Sequence, residues 1–191
     1  MDKLFIFDIG GVLLQDFDIT KDLSKYLNVN ITSVYSSSSM ADHYKGLIDE
    51  EEFWNNYMAE TNIKLNPKED LFKKFFFPTV DEETVNIIKD LRNNGYRVVA
   101  GTNIMTAHYE VANDMALFDN FDKAYCSHLM NCKKPDEDFF TYILKAENKK
   151  PEDVYFIDDL EENIQGAKKM GINTFLFTSA KELRSKLNHI I

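Results

Sequence analysis

Four short apolar runs limit what this chain can become: Leu4-Phe5-Ile6-Phe7, Arg97-Val98-Val99-Ala100, Val154-Tyr155-Phe156-Ile157 and Asn173-Thr174-Phe175-Leu176-Phe177. The continuous run Leu4-Phe5-Ile6-Phe7 reads as a strand buried on both faces of a parallel sheet, Val154-Tyr155-Phe156-Ile157 as another short buried strand, and the other two as strands that follow helices. Helical patterns stand in front of the later ones. Val85, Ile88 and Leu91 recur at helical spacing before Gly95, and Ile164, Ala167 and Met170 do so before Gly171. Phe139, Phe140, Ile143 and Leu144 mark another helix ahead of Val154. A glycine just past the last periodic residue is a helix stop. Repeated helix-to-strand alternation calls for right-handed parallel crossovers, so the expected fold class is α/β with a doubly wound, Rossmann-like parallel sheet.

Residues 15–79 break this rhythm. Leu23, Tyr26 and Leu27 predict one helix, and residues 52–60 predict another around Phe53, Trp54 and Tyr57. Pro67 is placed in the first turn of a third helix carrying Leu71, Phe72 and Phe75. The reading is a core of residues 1–14 and 80–191 with a small α-helical insertion, 15–79, between its first strand and the rest. Phe75-Phe76-Phe77-Pro78 would be the return passage, and Tyr35 with Ser36–Ser39 a flexible joint or a substrate loop, with composition favouring the joint.

Composition removes several function classes. The 191 residues carry 22 Lys plus Arg against 32 Asp plus Glu, a formal net charge of -10. A nucleic-acid backbone binder needs a positive footprint, so none is expected. No apolar run approaches membrane-spanning length, and the cytosol is the simplest compartment. Two cysteines, Cys126 and Cys132, bracket His128 but lack a closing ligand pair, so a loop is preferred to a zinc site.

Chemistry collects where the apolar runs end. Asp8 follows the first run directly, which is where open α/β sheets bind ligands. Thr102 and Asn103 follow the second, offering a hydroxyl and the backbone donors of a turn into a helix. Lys134 sits before Pro135, read as the start of a helix, and is preferred to Lys133 as the cation that would offset an attacking carboxylate and a phosphate. Asp158 and Asp159 close the third. Adjacent carboxylates on the same sheet edge as Asp8 repel one another, which makes a cation attractive. Oxygen-only ligation with few protein ligands suits Mg²⁺.

In this order Asp8, Thr102, Lys134 and the Asp158-Asp159 pair resemble the four motifs of the haloacid dehalogenase-like (HAD) hydrolase superfamily. The insertion resembles that family's small C1 cap. Gly10, Lys45-Gly46 and Asn163-Ile164-Gln165-Gly166-Ala167 bring the chain nearest to bacterial sugar-phosphate phosphatases of the α-D-glucose-1-phosphate type. The resemblance implies Asp8 as nucleophile with Thr102 and Lys134 as catalytic partners. It implies Mg²⁺ on the Asp8 carboxylate, the Gly10 carbonyl and Asp159, with Asp158 direct or through water. Asn103, Gly10 and Gly11, with His43 and Tyr44 from the cap, are the implied substrate-binding groups.

Gly10 stands where the family's phosphatases carry a second Asp, the general acid and base. That function is typically worth about 10²- to 10⁴-fold. An anomeric sugar phosphate, whose leaving group is good, or a proton donor such as His43 or Tyr44 would accommodate its loss. The function expected is Mg²⁺-dependent hydrolysis of a small phosphorylated metabolite, a sugar phosphate, through an aspartyl-phosphate. The alternatives are a phospholigand-binding module without turnover and a metal-free 2-haloacid dehalogenase. The sequence leaves monomer and homodimer open.

Overall fold

In a computed structural model, residues 3–31 and 34–188 are described. A five-stranded sheet runs in the order β5-β4-β1-β6-β7. Its strands are β1 (Leu4–Phe7), β4 (Arg97–Thr102), β5 (Lys123–Cys126), β6 (Val154–Asp158) and β7 (Asn173–Leu176), all parallel. The remaining pair, β2 (Leu14–Gln15) and β3 (Thr79–Val80), is antiparallel and closes the neck of the insertion. β1 lies in the middle, pairing Phe7 with Ala100 on one side and with Ile157 on the other. Parallel strands in this register bring the residues that follow β1, β4 and β6 to one edge.

Side chains alternate along each strand, so β1 feeds two cores. Phe5 and Phe7 join Val98, Ala100 and Ile157 beneath α5 (Glu82–Asn93), α6 (Thr106–Asp114) and α10 (Ala180–Leu187). Leu4 and Ile6 join Val99 and Phe156 beneath α8 (Glu137–Glu147) and α9 (Glu161–Lys169). Asp81 caps α5 by accepting from the Glu83 and Thr84 amides, and Gly95 follows in the left-handed region at φ +81°.

The insertion holds α1 (Thr20–Leu27), α2 (Met40–Tyr44), α3 (Glu50–Thr61) and α4 (Leu71–Phe75). Its centre is aromatic: Trp54 stacks on Phe72 at 4.8 Å, and Phe53 meets Trp54 edge-on at 5.0 Å. α2 rests on the short helix α7 (Ser127–Met130) of the core. Ser127 Oγ donates to the Tyr44 carbonyl at 2.5 Å, and Asn131 Nδ2 donates to the Lys45 carbonyl at 2.9 Å. Gly46, at φ +65°, allows this approach, since a Cβ there would lie 2.5 Å from the His128 carbonyl oxygen.

Several expectations need correction. Pro67 lies in a turn, and α4 starts after Asp70, whose side chain caps it by accepting from the Lys73 amide. Pro135 also precedes its helix: Asp136 holds the cap position and α8 begins at Glu137. The serine stretch is a tethered turn, with Ser37 Oγ donating to Glu60 at 2.8 Å and the Ser38 amide at 3.0 Å. The aromatic trio divides, Phe76 buried and Phe77 74% exposed. Among the described residues no helix is long and apolar enough to cross a membrane.

Candidate active site

Asp8, Lys134, Asp158 and Asp159 meet at the carboxyl edge of the sheet. The Asp8 amide is tied to the Ile157 carbonyl at 2.9 Å, so its backbone continues the ladder while its side chain leaves it. Lys134 is 1% exposed and reaches back with its ammonium, Nζ lying 2.7 Å from Asp8 Oδ1 and 2.8 Å from Asp158 Oδ2. Asp8 Oδ1 also accepts from the Ile9 amide at 2.7 Å. Oδ2 stands outside those bonds.

Asp158 is saturated. Its Oδ1 accepts from the Leu160 amide at 2.8 Å and from Asn163 Nδ2 at 3.0 Å, and its Oδ2 holds Lys134. Asp159 is half-buried, and its carboxylate packs on the Gly11 backbone. Gly11 sits at φ +75°, which favours glycine, and a Cβ there would lie 2.2 Å from Asp159 Oδ2, so a side chain would have to displace that carboxylate. Oxygens of Asp8, Asp158 and Asp159 lie within 4.8 Å of one another. Three convergent carboxylates, one pressed into a cradle that a side chain would fill, fit a hard divalent cation. Asp8 and Asp159 are its natural ligands, because Asp158 would have to give up existing bonds.

The electrostatics follow from burial. Burial pushes the Asp8 carboxyl up to about 7, with Asp158 adding to the rise and Lys134 opposing it. For Lys134 burial works against the charge, but Asp158 and Asp8 outweigh it and hold the ammonium above the usual lysine value. Asp159 is raised by burial and by Asp158. A cation held between Asp8 and Asp159 would lower both of those carboxyl values and favour their ionised forms.

Asn103 sets the lysine. Its Nδ2 donates to the Lys134 carbonyl at 3.0 Å and its Oδ1 accepts from the Lys134 amide at 2.8 Å, a two-point clamp between β4 and the segment before α8. Thr102 is buried at the end of β4. Lys133 stays at the mouth of the cleft, while Lys134 enters it.

A cleft of about 570 Å³ opens over this edge. Asp8, Gly10, Asn103, Lys134, Asp159 and Asn163 form its floor, and Phe17, Asp18, Tyr35, Met40, Ala41 and Tyr44 of the insertion form its roof. Tyr44 is therefore at the cleft, as expected. Burial raises its phenol far above the ordinary value, with Tyr35, Asp8 and Asp18 acting the same way. His43 is not brought there: it is 5% exposed, stacked between Phe53 at 5.0 Å and Phe72 at 5.4 Å inside the cap. On a helix, neighbours in sequence face different directions, and Tyr44 took the cleft side.

Asp18, Phe17 and His108 also reach the site or its margin without a sequence signal that singled them out. Phe17 bears on the missing acid, because its ring tip lies 3.7 to 3.9 Å from where a Gly10 Cβ would be. An aromatic edge thus borders the place of the absent carboxylate.

The family profile of the haloacid dehalogenase-like hydrolases matches residues 3–171. The chain belongs to this family. Among its HAD relatives, a sesquiterpene phosphatase of Aspergillus oryzae is 25% identical over 181 residues, covering 89% of this chain and 87% of that protein. A D-ribitol-5-phosphate phosphatase of Bacteroides thetaiotaomicron is 24% identical over 206 residues, covering 100% of this chain and 99% of that one. A drimenol cyclase of Aspergillus calidoustus is 26% identical over 211 residues, but this chain spans only 37% of its length. In structure, a HAD family enzyme of B. thetaiotaomicron solved as a magnesium complex shares the fold with a TM-score of 0.77 at 24% identity, over 92% of this chain and 93% of that one.

Proposed function

We propose that this HAD hydrolase is a Mg²⁺-dependent phosphatase acting on small phosphorylated metabolites. The observation that carries the reading is the Asp8–Lys134–Asp158 bridge beside Asp159. A nucleophilic carboxylate, a buried cation and a second open carboxylate share one sheet edge, which suits phosphoryl transfer better than metal-free dehalogenation, where Asp159 would have no charge to meet. The magnesium complex of the structural relative and the phosphatases among the sequence relatives support it.

In the proposed reaction the Asp8 carboxylate attacks phosphorus in line with the leaving oxygen, giving an aspartyl-phosphate that water then hydrolyses. Lys134 neutralises the equatorial oxygens and keeps Asp8 aimed. Asp158 and Asn163 fix Lys134 from behind, and Asn103 fixes its backbone. Thr102, at the end of β4, is the hydroxyl that the motif resemblance assigns to the phosphoryl oxygens, while the Ile9 and Gly11 amides are already given to Asp8 Oδ1 and the Leu14 carbonyl. When bound by Asp8, Asp159 and the Gly10 carbonyl, Mg²⁺ would supply positive charge to the phosphoryl group.

A sugar phosphate is the substrate class that the motif resemblance implies, and the ribitol-phosphate phosphatase is in line with it. A phosphorylated hydrocarbon alcohol is the second reading. It is favoured by the apolar side chains Phe17, Met40 and Ala41 on the cleft roof and by the sesquiterpene phosphatase relative. A cytosolic setting and the absence of nucleic-acid or membrane partners belong to the same proposal. Phosphate release from both ester classes with Mg²⁺ present is the test; no release from either removes the phosphatase reading.

A further inference from the structure

In-line attack by Asp8 sends the leaving oxygen away from the sheet edge, toward the roof of the cleft. Beside that roof the cleft continues into a smaller cavity of about 50 Å³. The two share Gly10, Phe17, Tyr35, Tyr44 and Asn103, so the small cavity is an annex of the site. Gly10 borders both spaces, and the Phe17 ring faces it, 3.7 Å from where a Cβ would stand.

The annex is walled by Ile9, Leu14, Phe17, Phe76 and Ile104, with Thr102, Asn103 and Tyr44 also on its lining. Tyr35 also lines it, but its hydroxyl already donates to the Phe17 carbonyl at 3.2 Å and accepts from the Ile19 amide at 3.5 Å. His108 forms part of the wall, 5% exposed, its ring lying flat on Phe76 at 3.7 Å and its Nε2 without a hydrogen-bond partner. One hydroxyl of an entering group could meet His108 Nε2 or Thr102, but the further hydroxyls of a polyol would face the carbon walls and lose their water without an equivalent bond. A hydrocarbon tip brings no hydroxyls to desolvate there. With a water taking about 30 Å³ of liquid volume, the annex admits a tip of roughly two or three carbons.

We propose that the annex is the leaving-group subsite and that it selects phosphate monoesters of compact hydrocarbon alcohols over polyol phosphates. This rests on the phosphatase reading and narrows its substrate class.

The test compares kcat/KM of the full chain with Mg²⁺ on three primary alkyl esters: ethyl phosphate, 3-methylbutyl phosphate and D-ribitol 5-phosphate. Burying a methylene is worth roughly fourfold, so 3-methylbutyl phosphate is expected to exceed ethyl phosphate by roughly 15- to 60-fold. It is also expected to exceed ribitol 5-phosphate, which has the same number of carbons, by at least roughly tenfold. Ile104→Phe, which fills the annex, should lower the 3-methylbutyl to ethyl ratio by at least roughly fivefold, and Phe76→Leu, which enlarges it, should not. Ratios within one variant cancel any loss of folded protein. Ribitol 5-phosphate turned over as well as the alkyl ester, or a ratio untouched by Ile104→Phe, would overturn the inference while leaving the phosphatase reading standing. No release from any of the three would remove both.

Discussion

Replacing Gly10 with Asp tests whether the acid-base function is missing or merely supplied elsewhere. Position 10 is outside the positive-φ residues, and a Cβ there meets nothing closer than the Phe17 ring at 3.7 Å, an ordinary contact. The backbone therefore accepts a side chain, and thermal stability should change little. The new carboxyl would enter the cleft beside Asp8, where burial raises carboxyl values and favours a protonated acid near neutral pH. General acid catalysis contributes about 10²- to 10⁴-fold, and the Phe17 edge should hold the gain near the lower figure. That gain is expected in kcat on ethyl phosphate, whose alkoxide needs a proton, and not on p-nitrophenyl phosphate, whose phenolate leaves without one. Gly10→Ala, equally well accommodated, should give no gain on either. Equal acceleration of both esters by Gly10→Asp would refute the reasoning, and so would acceleration by alanine.

Three further outcomes follow from the same geometry. Lys134→Met leaves Asp8 and Asp158 buried without their cation and should destabilise the fold by roughly 3 to 5 kcal/mol in urea unfolding at pH 8, less at pH 5 where the carboxyls can take up protons. Gly11→Ala forces Asp159 aside, so the Mg²⁺ concentration for half-maximal effect in calorimetric titration should rise by at least roughly tenfold. Burial, then the charge of His43, lowers His108 to about 3. The unfolded chain binds that proton near 6.5 and the folded chain does not, so stability falls as pH drops below 6.5, by about 2 kcal/mol at pH 5. His108→Phe should flatten that segment of a stability-against-pH curve; an unchanged slope would mean that another group sets it.

Much of the core was legible because β1, β4 and β6 are largely buried on both faces and show as apolar runs. β7, an edge strand with Asn173 and Leu176 exposed, was readable from its place after a helix and Gly171, and the glycines after two helices fix where they end. β5 was not, since Lys123-Ala124-Tyr125-Cys126 is an edge strand, its first residue exposed and only its last two buried. Asp8, Lys134, Asp158 and Asp159 were readable from their places at strand ends and before a proline. The difference between Asp158 and Asp159 was not, because it depends on bonds to Asn163 and Lys134 that adjacency in sequence does not show. The helical insertion was readable as helices but not as a surface. Whether His43 or Tyr44 faces the cleft turns on the rotation of α2, a helix of five residues whose pattern is too short to reveal a face. His108 carried no signal at all: its place on the annex wall comes from packing between Phe76 and Phe72, which tertiary structure alone brings together.

The central claim is that Asp8 is a phosphoryl nucleophile working with a divalent cation. Phosphate release by the wild-type chain and by Asp8→Asn, each with and without Mg²⁺, tests it most directly. The account expects release that requires Mg²⁺ and disappears in the variant, with acid-quenched wild-type protein carrying a phosphoryl group that Asp8→Asn lacks. Release that persists in Asp8→Asn, or halide release from short haloacids without metal, would contradict it.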